Sequence, residues 1–264
     1  MINEHTGMFF DNGKRDLLMD KLSPLVIERG FGSYLDYYYL LKYDPAASVE
    51  WQNVMNALSV QETYFWREID QVRALVQTLV PQWHARNSRS TLRIWSAACA
   101  TGEEPLTIAI ALNEAGWFDK ASIEIVATDA STKAIDRASQ GVYRERAFRN
   151  LPARLRDRYF ERNGSDWRVR NDIHSRIKWG VANLMEDGEI SHWACADFIF
   201  CRNVFIYFSE NAISRVVRTF SRFIRSPGYL FVGAAESLLR LTTDFTLTEV
   251  DDAFVYMKRE KAEH

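Results

Sequence analysis

The sequence predicts an α/β fold in which a mainly parallel sheet follows a helical N-terminal region. The first ~75 residues show helix-like periods and no strand signal. From Thr91 onward, short apolar runs alternate with helical periods, which is the pattern of βαβ units. The pair Asn163-Gly164 lies between alternating side chains. This pair predicts a hairpin and therefore a small antiparallel β insertion.

The predicted strands and helices follow one another along the chain. The apolar runs of strand length are Leu92–Ala98, Ile123–Thr128, Ile177–Val181, Phe198–Cys201, Tyr229–Gly233 and Phe254–Met257. Helical periods between several of them are Pro105–Ala115, Thr132–Ser139 and Glu210–Ile224. A parallel sheet of this kind binds its ligand outside the carboxyl ends of its strands. We therefore expect the functional residues directly after the strands.

The N-terminal region is rich in aromatic residues, six of which lie within residues 31–43. A ligand-binding box is one interpretation of this cluster. We expect instead that these side chains pack between helices, because aromatic residues contribute the largest buried areas of a core.

Composition excludes several classes of protein. With 47% hydrophobic and 26% charged residues in 264, the chain is globular rather than disordered. Its net charge of −2 argues against a protein that binds duplex DNA. Cys99, Cys195 and Cys201 are odd in number and lack metal spacing, so we expect neither disulfides nor a metal site. No apolar stretch approaches membrane-spanning length, and we expect a cytoplasmic monomer without membrane insertion.

The first predicted strand ends in a loop of small residues, from Ala98 to Gly102, and a helix follows directly. Small side chains and the free amides of a helix start allow close approach of a ligand. The carboxylates of Glu103 and Glu104 would repel a diphosphate and attract a positively charged ligand. The loop therefore favours a sulfonium nucleoside over NAD or ATP. The alternative is that Thr101 and Glu104 form a capping box without any ligand.

Two further strand ends carry polar residues. Asp129 ends the second predicted strand, where a carboxylate suits ribose hydroxyls, or else it caps the helix near Thr132. Arg202 and Asn203 follow the fourth predicted strand, and Tyr207 lies four residues further on. These three side chains would stand over the ligand region. An ordinary loop with a buried tyrosine is an equal alternative.

Five segments carry a resemblance to one family. They are Glu62–Glu68, Ala98–Pro105, Thr128–Asp129, Val181–Leu184 and Cys201–Phe208. Over about residues 58–258 the chain resembles the chemotaxis-receptor protein-glutamate O-methyltransferases of the CheR type. The resemblance implies an enzyme that uses S-adenosylmethionine. Its expected fold is a class I (Rossmann-like) seven-stranded methyltransferase sheet with a small antiparallel β insertion, preceded by a small all-α N-terminal domain.

The resemblance also implies domain limits and cofactor-binding residues. We expect a helical domain over residues 1–78, a catalytic domain over 79–264 and the β insertion at about 155–180. The cofactor-binding residues that it implies are Gln61, Thr63, Arg67, Ala98, Glu104, Asp129, Asn183, Leu184, Arg202 and Asn203. In this set Arg67 would bind the methionyl carboxylate, a task suited to guanidinium. Glu104 would face the charged methionyl portion and Asp129 the ribose, while Asn183 and Leu184 would border the adenine.

The same resemblance implies the reaction and its partner. Tyr207, Asn203 and Arg202 would be the catalytic residues, with no metal. The substrate would be a glutamate in the cytoplasmic helical bundle of membrane chemoreceptors, and the products a methyl ester and S-adenosylhomocysteine. No nucleic acid is implied. A glutamate carboxylate is ionised at pH 7 and needs no general base, so Tyr207 would only orient it.

Two features depart from the family pattern. Gln61 stands where the family commonly has asparagine. The segment Ser59–Glu62 also has the spacing of a capping box, and both interpretations can hold, because a cap positions the residues that follow it. The link Arg162–Trp167 is shorter than the glycine-bracketed loop of members that grip a receptor pentapeptide. We therefore expect a pentapeptide-independent enzyme.

Basic residues concentrate in one region. Residues 133–178 contain thirteen basic and six acidic residues, a local excess of seven positive charges. One hypothesis is that this arginine-rich insertion steers and docks an acid-rich receptor bundle. The alternative is a solvated face with local ion pairs.

Overall fold

The computed structural model describes residues 1–45 and 47–259. The N-terminal part consists of helices α1 (Ile2–Thr6), α2 (Arg15–Glu28), α3 (Tyr34–Tyr43) and α4 (Ala47–Leu58). They enclose a small core of their own, which includes Leu22, Tyr37, Leu41, Val54 and Leu58. The predicted all-α N-terminal domain is confirmed, whereas its limit at residue 78 stays a prediction.

The expectation that the aromatic residues of 31–43 pack between helices is wrong for three of the six. Tyr34, Tyr39 and Tyr43 are 37%, 51% and 67% exposed, whereas Tyr37 is 2% exposed. Aromatic residues at consecutive positions point around a helix in steps of about 100°. Helix α3 packs against α4, and Tyr34 also reaches α2, where its Oη donates to the carbonyl of Met19 at 3.0 Å, whereas the rings of Tyr39 and Tyr43 stay largely outside these contacts.

Two helices connect the N-terminal part to the sheet. Helix α5 (Ile69–Ala74) continues through a π-helical turn, Leu75–Leu79, into α6 (Val80–Asn87). Their apolar side chains, such as Val72, share one core with Leu92 of the sheet. These helices therefore pack on the catalytic part of the chain.

The strands of the described ranges form two sheets. They are β1 (Leu92–Ala97), β2 (Ile123–Asp129), β3 (Val142–Tyr143), β4 (Phe160–Asn163), β5 (Asp166–Val169), β6 (Ile177–Val181), β7 (Phe198–Phe200), β8 (Tyr229–Phe231), β9 (Phe245–Val250) and β10 (Ala253–Lys258). Within those ranges, seven strands form the main sheet in the order β6-β2-β1-β7-β8-β10-β9. Pairing is parallel from β6 to β8, and β10 is antiparallel to both of its neighbours. The predicted seven-stranded sheet is confirmed.

Helices cover both faces of this sheet. The helices that follow β1 are α7 (Glu103–Glu114), α8 (Thr132–Gln140), α9 (Ala153–Tyr159), α10 (Asn171–His174), α11 (Asp187–Ile190) and α12 (Glu210–Phe223), of which α9 packs on β4 of the small sheet and α10 on α7. One core contains residues of α7 and the other residues of α12, such as Ile108 and Phe220. In the described ranges, no helix has both the length and the apolar character that a bilayer span requires.

The predicted β insertion exists as a three-stranded antiparallel sheet of order β3-β5-β4. Its strands lie within residues 142–169, earlier than the expected 155–180, because β3 pairs with β5. Residues 177–181 belong to the main sheet, where β6 pairs with β2. Strands β4 and β5 are joined by Gly164 and Ser165 alone, which agrees with the hairpin prediction.

Candidate active site

The carboxyl ends of β1, β2 and β7 lie at one edge of the sheet, where predicted site residues follow each strand. The loop after β1 is tied to β2 by the amide of Ala100, which donates to Asp129 Oδ2 at 2.9 Å. Gly102 ends this loop with a φ of 94°, and a Cβ there would lie 2.7 Å from the Trp179 ring. Only glycine fits this position. The loop therefore stays tight and open to a ligand.

Glu104 lies beneath this loop with 17% of its side chain exposed. Its carboxylate accepts a hydrogen bond from Ser96 Oγ at 2.7 Å and lies 3.5 Å from Arg202 Nη1. Burial raises the pKa of Glu104, and the positive charge of Arg202 partly offsets that effect. The capping-box alternative is wrong, because α7 has no side-chain cap and Thr101 Oγ1 donates to Glu103 instead.

Asp129 is the last residue of β2 and is 8% exposed. Its Oδ1 accepts from the amide of Ser131 at 2.8 Å, while its Oδ2 accepts from Ala100. Burial raises the pKa of Asp129, and these two amides lower it. The alternative role as a helix cap is wrong, because Ser131 caps α8 by accepting from the amide of Ala134. Asp129 instead joins two loops of the site.

Arg202 follows β7 with only 3% of its side chain exposed. Its Nη2 lies 3.2 Å from Glu68 Oε2 and donates to the carbonyl of Arg67 at 2.7 Å. Its other terminal nitrogen faces Glu104. The buried Nε finds no hydrogen-bond partner among residues 1–45 and 47–259. A buried donor without a partner destabilises the folded protein, so this atom is suited to donate a hydrogen bond to a ligand.

Asn203 and Tyr207 stand on the loop after Arg202. Asn203 has a φ of 60°, and its amide donates to Glu236 Oε2 at 2.8 Å. Its side-chain Nδ2 donates to Glu68 Oε1 at 3.2 Å. Tyr207 ends a 3-10 turn and is 37% exposed, so the alternative of an ordinary buried tyrosine is wrong.

The segment 59–68 lines another side of the site. It joins α4 to α5 and contains no helix, so the capping-box alternative for Ser59–Glu62 is wrong. Gln61 accepts from Arg137 Nη1 at 2.9 Å, and Arg67 Nη1 donates to a backbone carbonyl of the segment at 3.1 Å. The side chains of Gln61 and Arg67 are thus held near the carboxyl edge of the sheet.

All of the residues predicted for the site line one cleft, which encloses about 1050 Å³ including its open mouth. They are Gln61, Thr63, Arg67, Ala98, Glu104, Asp129, Asn183, Leu184, Arg202, Asn203 and Tyr207. The structure therefore brings together residues from the segment 59–68 and from the ends of β1, β2, β6 and β7. Their individual roles stay predictions.

A further wall of this cleft was not predicted: the N-terminal strap, which we define as residues 2–9. Met8 of the strap lines the cleft and forms an antiparallel bridge with Phe208. The amide of Phe9 donates to the carbonyl of Tyr207 at 2.8 Å. Because these contacts join distant parts of the chain, no local pattern marks them.

The two parts of the chain match two family models. The model for the "CheR methyltransferase, all-alpha domain" matches residues 1–59, and that for the "CheR methyltransferase, SAM binding domain" matches residues 61–254. The chain belongs to the CheR methyltransferase family. This confirms the predicted family and the predicted methyltransferase of the protein-glutamate O-methyltransferase type.

Curated relatives of this CheR-type chain are similar along most of its length. Chemotaxis protein methyltransferase 2 of Vibrio cholerae is 33% identical over 98% of this chain and 90% of its own. A chemotaxis protein methyltransferase of Klebsiella aerogenes is also 33% identical, over 94% of this chain and 84% of its own.

The cleft of this CheR-type chain fits S-adenosylmethionine by the chemistry of its donors and acceptors. The ligand carries an ammonium, a sulfonium and a carboxylate. The carboxylates of Glu104 and Asp129 suit the positive groups and the ribose hydroxyls. Arg67 and the unpartnered Nε of Arg202 suit the carboxylate. Apolar residues such as Leu184 offer a surface for the adenine.

Proposed function

We propose that the chain methylates glutamate side chains of chemoreceptors with S-adenosylmethionine, and that it serves adaptation in chemosensory signalling. The observation that carries the proposal is the composition of this one cleft. It joins two carboxylates, Glu104 and Asp129, with two guanidinium groups, Arg67 and Arg202, beside the exposed phenol of Tyr207. The first four groups suit a zwitterionic sulfonium nucleoside, and the phenol stands where a second protein can reach it.

Each cofactor contact follows from the charge and position of a side chain. Arg67 binds the methionyl carboxylate, because a guanidinium pairs with a carboxylate in bidentate fashion. Glu104 binds the methionyl ammonium, and Asp129 accepts from the ribose hydroxyls. Asn183 and Leu184 border the adenine. Gln61, Thr63 and Ala98 complete the walls of the cleft.

The catalytic task of the protein is alignment. When bound, S-adenosylmethionine supplies an electrophilic methyl group. The receptor glutamate is ionised at pH 7, so no side chain has to remove a proton. Tyr207 donates a hydrogen bond to the incoming carboxylate, and Asn203 and Arg202 fix the polar surroundings that replace its water shell.

We propose that the enzyme works without a receptor pentapeptide. The turn between β4 and β5 has only Gly164 and Ser165, which leaves no loop to hold an extended peptide at that end of the small sheet. A receptor lacking its C-terminal residues should therefore be methylated at the rate of the full-length receptor. A rate that falls more than about tenfold would contradict this.

We propose that docking by the arginine-rich insertion is limited to arginines free of internal ion pairs. Arg156 pairs with Glu145 at 2.8 Å and Arg158 with Glu114 at 2.7 Å, as in the local-pair alternative. Arg168 is exposed and forms no ion pair with any described residue. Arg168→Glu should raise KM for the receptor and leave cofactor affinity unchanged.

The matched control for Arg168→Glu is the same charge reversal at Lys120, which is exposed before β2 at the amino edge of the sheet. Equal KM values for the two variants would exclude this surface from docking.

The experiment that tests the proposed function has two stages. Calorimetric titration with S-adenosylhomocysteine measures cofactor binding. Transfer of labelled methyl groups to receptor-containing membranes then measures the reaction, and release of the label by mild base identifies methyl esters. We expect binding and base-labile labelling. Binding without labelling of receptors would contradict the receptor as substrate, and absence of binding would contradict the proposal as a whole.

A further inference from the structure

Glu68 stands behind the cleft rather than in its wall. It immediately precedes α5 and adopts a left-handed backbone conformation with a φ of 47°. This region is unfavourable for a residue that carries a side chain, so the surroundings of Glu68 must hold it there. Glu68 is absent from the residues that line the cleft, although its neighbour Arg67 is among them.

The carboxylate of Glu68 accepts hydrogen bonds from the ends of two strands. Oε2 accepts from Arg202 Nη2 and from the amide of Ala234, each at 3.2 Å. Oε1 accepts from Asn203 Nδ2 at 3.2 Å. Glu68 therefore ties segment 59–68 to the residues after β7 and after β8.

The charge of Glu68 is matched to a buried cation. Arg202 is almost fully buried and lies between two carboxylates, those of Glu68 and Glu104, at 3.2 and 3.5 Å. Burial raises the pKa of Glu68, but the charge of Arg202 and the donors Asn203 and Ala234 outweigh it and hold the pKa below its ordinary value. Glu68 is therefore ionised at neutral pH.

A second carboxylate, that of Glu236, binds the main chain of the loop whose side chains Glu68 binds. Glu236 accepts from the backbone amides of Asn203, Ile206 and Gly233, at 2.8, 3.2 and 2.6 Å. Glu236 thus fixes the course of the main chain after β7. Glu68 instead holds the side chains of Asn203 and Arg202, which face the cleft.

We propose that Glu68 is a positioning residue for methyl transfer, which acts by holding the side chains of Arg202 and Asn203 in their working orientation. The inference rests on the function proposed above. Glu68 touches neither cofactor nor substrate in this scheme. Its removal should therefore slow the transfer step far more than it weakens cofactor binding.

The test is Glu68→Gln, which keeps the length of the side chain and removes its charge. The amide NH₂ replaces one oxygen, so either Asn203 Nδ2, or Arg202 Nη2 together with the amide of Ala234, loses its acceptor. We expect kcat for receptor methylation to fall about tenfold to a hundredfold. The dissociation constant of S-adenosylhomocysteine should change less than about threefold. Glu68→Asp, which keeps the charge at a shorter reach, should have an intermediate kcat and serves if the first variant does not fold.

The control is Asp70→Asn, which loses the same charge two residues later, where the side chain is exposed and, among residues 1–45 and 47–259, forms an ion pair with Arg73 alone. Its kcat should stay within twofold of that of the unmodified protein. Equal kcat values for Glu68→Gln and Asp70→Asn overturn the proposal. A loss of cofactor affinity as large as the loss of kcat also overturns it.

A pH readout separates positioning from loosened structure. Burial raises the pKa of Glu104, which is lowered by the charges of Arg202 and Arg67 and by the hydrogen bond from Ser96, and is raised by the charge of Glu68. In Glu68→Gln, Arg202 pairs with Glu104 alone, and the repulsion between the carboxylates of Glu68 and Glu104 is removed. Both changes lower the pKa of Glu104. The acid limb of S-adenosylhomocysteine binding should then move to lower pH in Glu68→Gln. An unmoved acid limb, or one at higher pH, contradicts the proposed network.

Failure of the proposed function gives a different result. If the unmodified protein binds S-adenosylhomocysteine but methylates no receptor, the proposed function fails, whereas the pH shift of binding still reports on Glu68.

Discussion

Replacing Arg202 with methionine removes the cation that lies between the carboxylates of Glu68 and Glu104, whose side chains are only 26% and 17% exposed. Arg202 lies 3.2 Å from Glu68 and 3.5 Å from Glu104, and its own side chain is 3% exposed. At an effective dielectric constant of about 20, each contact is worth about 5 kcal/mol of Coulomb energy. Desolvation of the guanidinium cancels part of this sum. Because the variant leaves uncompensated buried charge, we expect it to lose about 3–5 kcal/mol of unfolding free energy at pH 7.5.

The loss should depend on pH in a defined direction. Burial already raises the pKa of Glu104, and removal of Arg202 raises it further. The folded variant then binds a proton more readily than its unfolded chain, so its deficit shrinks as the pH is lowered from 7.5 to 5. Urea unfolding of both proteins at the two pH values measures this.

The double variant of Arg202→Met with Glu104→Gln should recover at least about 1 kcal/mol, because one uncompensated charge is gone. A loss below about 1 kcal/mol at pH 7.5 would refute the reasoning, and so would an equal loss at both pH values.

Three further variants test the cleft and the fold. Asp129→Asn should weaken S-adenosylhomocysteine binding about tenfold to a hundredfold in calorimetry, since a charged acceptor is lost; an unchanged affinity would exclude Asp129 from the ligand. Glu50→Ala should lower the unfolding free energy by about 2–4 kcal/mol, because Glu50 is 1% exposed and accepts from Tyr37 Oη at 2.6 Å; a loss under about 0.5 kcal/mol in urea unfolding would contradict this. Gly102→Ala should lower thermal stability and cofactor affinity together, because a Cβ there strains the backbone and meets Trp179; an unaltered melting temperature would show that the loop yields.

Local patterns predicted the residues that follow strands. Asp129, Arg202 and Asn203 were placed correctly because a parallel sheet brings its carboxyl ends to one edge. The two capping boxes that the sequence offered as alternatives are absent from the structure, again for local reasons. Gly102, with its positive φ, begins α7 without any side-chain cap, and residues 59–68 are not helical.

The features that the sequence did not predict depend on distant partners. Strand β9 was absent from the predicted runs because threonines interrupt its apolar residues, although it pairs fully with β10. Glu68 and Glu236 were not predicted as supports of the site, because their hydrogen-bond partners lie up to 166 residues away. The exposed tyrosines of α3 were missed because composition says nothing about which helix face finds a neighbour.

The N-terminal strap makes the first residues of the chain part of a site that is otherwise built much later. Asn3 bonds to Ser209 across 206 residues of sequence, and Met8 meets Phe208. A chain growing on the ribosome therefore cannot close this wall until Ser209 has emerged from the exit tunnel. Synthesis alone thus delays the assembly of a complete methyl-donor cleft until more than four fifths of the 264 residues have been translated.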